Sequence, residues 1–160
     1  MSRYLCLGEF DQQEGMLNSK CIFCKIIFGN LPSNIIVQDE KAIAFLDAFP
    51  LTKGHTLVIP KMHFSKVQNM TEEYGSALFR LMLALVDPIE KAAHVSSSTI
   101  AIHNGKEAGQ EVDHVHVHII PRRVDDGAGP IHSMFMKRPQ ISSTDMNEMA
   151  LAISEQLLPR

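Results

Sequence analysis

His114-Val115-His116-Val117-His118-Ile119-Ile120 alternates imidazole with aliphatic side chains until Ile120 and stops at Pro121. Successive side chains of a strand point to opposite faces, so the three imidazoles share one face while Val115, Val117 and Ile119 fill the other. Such a strand offers one face to a core and the other to chemistry. Working outward, residues 35–37 (Ile-Ile-Val) and 42–46 (Ala-Ile-Ala-Phe-Leu) flank the polar residues 38–41, the pattern of two short strands joined by a turn. Residues 55–59 make a third strand, entered through Lys53-Gly54 and stopped by Pro60, and residues 99–102 make a fourth. Between these, Thr71 caps a helix with Glu72 and Glu73 in its first turn and Leu78, Leu81, Met82, Leu85, Ile89 and Ala92 at helical spacing. Pro88 marks a kink or break in it, and His94 suits its C-terminus. Asp145, three residues ahead of Glu148, starts a C-terminal helix with Met149, Ala150, Ile153 and Leu157 on one face, after a loop that holds Gly127, Gly129, Pro130 and Pro139. Strands and helices in this irregular order predict an α+β fold with an antiparallel sheet of about five strands, one main helix and a C-terminal helix.

The chain of 160 residues predicts one core. Residues 1–18 lack a clean period and read as a flexible N-terminal arm, residues 19–124 as the domain, and residues 125–160 as a loop and helix packing on that domain. Hydrophobic residues at 45% and charged residues at 21% are those of a globular protein, and no apolar run nears the ~20 residues of a membrane span. A net charge of -3 gives no reason to expect a nucleic-acid polymer or a membrane surface as partner, which leaves a small ligand. The N-terminus has no signal-peptide pattern, and the three cysteines cannot all pair, so the location expected is cytoplasmic. Cys6 reads as a free thiol, and Cys21-x-x-Cys24 as metal ligation or redox chemistry.

Three histidines in strict alternation exceed what satisfied core residues require, because burying polar rings without partners is costly. One metal does not explain them all: at about 3.3 Å per residue His114 and His118 lie roughly 13 Å apart, beyond the reach of a single zinc. At least one is left for nucleophile, acid, base or phosphate donor. The glycine-bearing residues 104–111 (Asn-Gly-Lys-Glu-Ala-Gly-Gln-Glu) lead into this strand and offer backbone N–H groups to an anion.

Four motifs in order resemble the histidine triad (HIT) nucleotide-binding superfamily: Cys21-Ile-Phe-Cys-Lys-Ile-Ile27; Ala44-Phe-Leu-Asp47 with Lys53-Gly-His-Thr-Leu-Val-Ile-Pro-Lys61; residues 104–110; and the histidine strand itself. The resemblance spans about residues 20–123. It implies a hydrolase in which His116 attacks the α-phosphorus of a nucleoside phosphoramidate or dinucleoside polyphosphate, with His118 and His55 around the phosphate. It further implies Asp47 on the ribose hydroxyls, Ile22, Phe23 and Ile26 against a purine base, and Asn104, Gly109 and Gln110 in the phosphate loop. A homodimer is implied as well. Glu111 stands where familiar members carry a hydroxyl donor, so it turns away from the phosphate or meets the leaving group. Members with an N-terminal Cys-x-x-Cys are similar in holding a structural zinc, which here implies Cys21, Cys24, His63 and His114 as ligands. Two other classes remain open: a zinc hydrolase using metal-bound water, and a nucleotide-sensing protein without turnover. His103 and His132 receive no role.

Overall fold

The computed structural model describes residues 20–134, 137 and 139–157, so the expected arm, Cys6 included, lies outside the described residues. Two compact units divide the chain, Met1–Val124 and Asp125–Arg160. In the first, strands β1 (Ile35–Gln38), β2 (Ala42–Leu46), β3 (Thr56–Pro60), β4 (Ser98–Ala101) and β5 (Val117–Pro121) form one sheet in the order β1-β2-β3-β5-β4. All neighbours pair antiparallel, which is the α+β architecture expected from the sequence. The β1–β2 turn closes on Asp39, whose Oδ1 accepts the N–H groups of Lys41 and Ala42.

Period-two alternation divides the apolar residues between two cores. Ala42, Ala44, Val58, Val117 and Ile119 pack under helix α2 (Glu72–Ala93), against Leu78, Leu81, Met82, Leu85 and Ile89. The opposite face, with Ile43, Phe45, Leu57 and Ile59, packs against Phe23, Cys24 and Ile26 of helix α1 (Ile22–Ile27). No helix is anticipated over residues 22–27 from the sequence, because six residues are fewer than the window over which a helical period can be read. The side chain of Thr71 accepts from Tyr74 N–H at the start of α2. At its end His94 adopts a left-handed φ of 56°, with the N–H groups of His94 and Val95 returning to the carbonyls of Lys91 and Glu90.

Three expectations about the elements change. Helix α2 runs through Pro88 without a break. Pro88 and Ala84, whose carbonyl loses its helical partner, are both exposed, so water can serve that carbonyl, while Leu85 and Ile89 stay anchored in the core. The last buried position is Ala93 rather than Ala92. The histidine strand begins at Val117, so His114 and His116 precede it. Continuing the β3–β5 register past Val58 and Val117 would set Val115 against Pro60, which has no N–H to give. Val115 N–H instead donates to the Phe64 carbonyl, 2.7 Å away.

The second unit holds a short 3-10 turn (Ile131–Met134) and helix α3 (Ser143–Leu157). Ser142 caps α3: its hydroxyl accepts from Asp145 N–H at 3.1 Å and donates to the Asp145 carboxylate at 2.7 Å.

Candidate active site

Two sets of side chains gather on the α1 face of the sheet. The first joins the start of α1 to the extended segment before β5. Cys21, Cys24, His63 and His114 bring one ligand atom each to within 4.8 Å of one another, and three of the four residues are buried. Cys24 Sγ lies 3.4 Å from His63 Nδ1 and 3.7 Å from His114 Nδ1, and Cys21 Sγ lies 3.6 Å from His114 Nδ1. A tetrahedron with arms of about 2.3 Å to sulfur and about 2.1 Å to nitrogen has S···N edges of about 3.6 Å, so the donor set has the size and chemistry of a closed zinc site. His114 Nε2–H donates to the Pro60 carbonyl at 2.9 Å, which leaves Nδ1 as the lone-pair nitrogen facing the thiols. Burial holds the His114 pKa down to about 4, so the ring is a neutral ligand.

The second set crosses the sheet at the end where β5 begins. His116 is 5% exposed, and its Nδ1–H donates to the His114 carbonyl at 2.7 Å. That bond places the lone pair on Nε2. Desolvation is the main cause lowering the His116 pKa, and the nearby Asp47 and Glu111 carboxylates oppose it. Phe23 sets its edge on this ring, with centroids 5.2 Å apart, and His118 is its other ring neighbour at 4.9 Å.

His55, just ahead of β3, is 2% exposed. Leu51 N–H donates to its Nδ1 at 3.2 Å, so its proton sits on Nε2 and is donated to His118 Nδ1 at 2.9 Å. His118 therefore carries its own proton on Nε2, a buried donor with no partner among the described residues. An orphaned donor costs about 1–3 kcal/mol unless something fills the place it points to. Burial, then the neighbouring histidines, hold His118 near a pKa of about 4. Asp47, at the end of β2, closes this row: its Oδ1 accepts Phe49 N–H at 2.8 Å, and its Oδ2 lies 3.5 Å from His55 Nδ1.

The other sequence candidates are distributed unevenly. Phe23 and Ile26 are buried in the α1 core, whereas Ile22 on the same helix is 45% exposed. The loop of residues 104–111 turns through Gly105 (φ 109°) and Gly109 (φ 89°), a left-handed backbone that suits glycine. Asn104 accepts from Val67 N–H and donates to Gln68, and Gln110 accepts from Gly105 N–H while donating to the Ser65 and Val112 carbonyls, so both side chains are engaged in holding the loop. Glu111 is exposed and close enough for its charge to act on His116. The structure adds His103, whose ring centroid lies 5.5 Å from that of His118. Its signal in the sequence is the alternation Thr99, Ala101, His103, which carries the period of β4 onto the histidine face.

Residues 29–125 match the HIT domain family model. The chain belongs to the HIT family. Adenosine 5'-monophosphoramidase HNT1 of Saccharomyces cerevisiae is 38% identical over 115 residues, covering 72% of this chain and 70% of the yeast protein. Among solved structures, a HIT family member from Bacillus subtilis superposes with a TM-score of 0.79 at 35% identity, over 88% of this chain and 99% of that one. A zinc-bound histidine triad family protein from Mycobacterium smegmatis superposes with a TM-score of 0.63 at 30% identity, over 86% and 95% of the two chains. The HIT family match thus takes in β1 through β5 and every histidine of the row from His55 to His118.

Proposed function

We propose that this HIT protein is a nucleotidyl hydrolase acting at the α-phosphate of nucleoside phosphoramidates or dinucleoside polyphosphates through a nucleotidyl-histidine. The observation that carries the reading is the pair of fixed tautomers: His116 offers a lone pair at Nε2, and His118 beside it offers an unpartnered N–H. His116 Nε2 attacks phosphorus and the P–N or P–O bond to the leaving group breaks, while His118 Nε2–H donates a hydrogen bond to the departing atom, which takes its proton from solvent water. Water then cleaves the P–N bond to His116 and releases the mononucleotide. His55 fixes the His118 tautomer and is itself fixed by Leu51 N–H. Asp47 takes the ribose hydroxyls, Ile22, Phe23 and Ile26 the purine side, and the loop with Asn104, Gly109, Gln110 and Glu111 the phosphate side. The yeast relative's phosphoramidase activity supports this substrate class.

Zinc in this reading is structural: Cys21, Cys24, His63 and His114 would hold it and tie α1 to the segment carrying His116. Four protein donors fill a tetrahedral ion, which leaves no position for an activated water and disfavours metal-hydroxide chemistry. The zinc-bound mycobacterial relative supports the metal's identity. The active form in this reading is a cytoplasmic homodimer.

Rapid quench of the wild type with a radiolabelled adenylyl phosphoramidate should trap an acid-labile protein-bound nucleotide. His116→Ala should abolish it while leaving metal content and AMP affinity nearly unchanged. No trapped nucleotide, together with more than about a tenth of normal kcat in His116→Ala, would remove His116 from the mechanism. Single-turnover product formation separates the enzyme from a nucleotide sensor.

A further inference from the structure

Four polar side chains lie in a row across adjacent strands at one end of the sheet. Asp47 follows β2, His55 precedes β3, His118 is in β5 and His103 follows β4, in the spatial order β2-β3-β5-β4. The spacings along the row are 3.5 Å from Asp47 to His55, 2.9 Å from His55 to His118, and 5.5 Å between the ring centroids of His118 and His103. Pairing of Ala101 with His118 sets Ala101, and two residues on His103, on the histidine face, while Ile102 between them packs into the α2 core. Anchoring of Asn104 to Val67 and Gln68 holds the backbone beside His103 in place.

The first three members of the row have assigned work. His103 does not: it is half-buried, its ring lies beside that of His118, and its side chain makes no hydrogen bond among the described residues. We infer that His103 is a specificity-determining residue for the leaving group, donating a hydrogen bond to a phosphate or carboxylate oxygen next to the scissile bond. The inference rests on the nucleotidyl-transfer reading. With the ribose at Asp47, phosphorus against His116 Nε2 and the departing atom beside His118 Nε2–H, the leaving group extends past His118, away from Asp47. His103 is the next side chain on that line. An imidazole N–H there meets an acceptor oxygen usefully and an alkyl chain not at all.

Two substrates separate this role from a structural one, because they share the same nucleotidyl-enzyme and differ only in what departs. One is AMP joined through nitrogen to an amine that bears a carboxylate next to the nitrogen, the other AMP joined to a plain alkylamine. For the metal-loaded protein, His103→Ala should lower kcat/KM for the first by about 3- to 10-fold, the loss of one hydrogen bond, and leave the second within about twofold. His103→Asn, which keeps a donor, should recover most of the loss. Hydrolysis of the trapped nucleotidyl-enzyme should proceed at the wild-type rate in both variants. Equal losses for the two substrates, or none for either, would overturn the assignment while the nucleotidyl-transfer reading stands. A wild type that forms no nucleotidyl-enzyme from either substrate would overturn both.

Discussion

Imidazole attacks phosphorus only when neutral, and burial favours the neutral form of His55, His116 and His118. Desolvation lowers the pKa of His55, His116 and His118, the last to about 4, against an unperturbed value near 6.5. The same shift has a consequence for stability. Unfolded His118 takes up a proton near pH 6.5 and folded His118 only near 4, so between those values the unfolded chain binds more protons. The His118 contribution is therefore intact above about pH 6.5 and is lost progressively as the pH falls towards 4. Urea melts of the metal-loaded protein from pH 7.5 to 4.5 should show a shallower decline for His118→Asn than for the wild type; coincident slopes would refute the buried-neutral account. At the far end of the row, Asp47→Ala should weaken AMP binding by about 1.5–3 kcal/mol, the range for hydrogen bonds to a charged acceptor. Calorimetry giving equal affinities would take the ribose away from Asp47.

Among the elements, α1 depends most on its surroundings. Its six residues are too few to be helical alone, and Cys21 at its start provides no side-chain cap. Phe23, Cys24 and Ile26 anchor it in the core, and the two thiols tie it to His63 and His114. Metal binding should thus be coupled to its folding. Cys24→Ser should lower metal content from about one equivalent per chain, reduce the melting temperature, and speed hydrogen exchange at residues 22–27 well before the amides of β3 and β5. Unchanged exchange in α1 with the metal removed would show that the packing alone holds it. The five strands and two longer helices are legible in the sequence because each writes its period over enough residues: β1 is read as residues 35–37 and found at Ile35–Gln38, β2 is found where it is read. What is not legible depends on partners remote in the chain. The placement of β5 between β3 and β4 is a matter of pairing, the late start of β5 comes from Pro60 on another strand, and α1 is too short to show a period. The site follows the same rule. The alternation of His114, His116 and His118 announces it, whereas the alternation that leads through Thr99 and Ala101 to His103 points to the site only once β4 lies beside β5.

At the scale of the whole molecule, two of the exposed surfaces among the described residues of the first unit bear on assembly. Strand β4 is an edge of the sheet, and Ile100 on it is 45% exposed. On α2, Phe79 and Leu83 stand one turn apart on the outer face, Leu83 at 70% exposure. An unpaired edge and exposed large apolar side chains are each a form of surface that a second copy covers, because twofold pairing satisfies edge N–H and C=O groups and buries apolar residues. This arrangement is what the proposed homodimer would use. A charge at Leu83 would be carried twice across a twofold interface, so Leu83→Glu should shift the protein from dimer to monomer in sedimentation velocity at micromolar concentration. The position is exposed within the chain and makes no part of either core, so the monomer should keep its fold and its circular dichroism. Nucleotide hydrolysis then reports whether each site is complete within one chain: retained kcat in the monomer would place the whole site in one copy, and its loss would mean that the partner supplies part of it. A wild type that sediments as a monomer, or a Leu83→Glu variant that stays dimeric, would move the interface away from this face of α2.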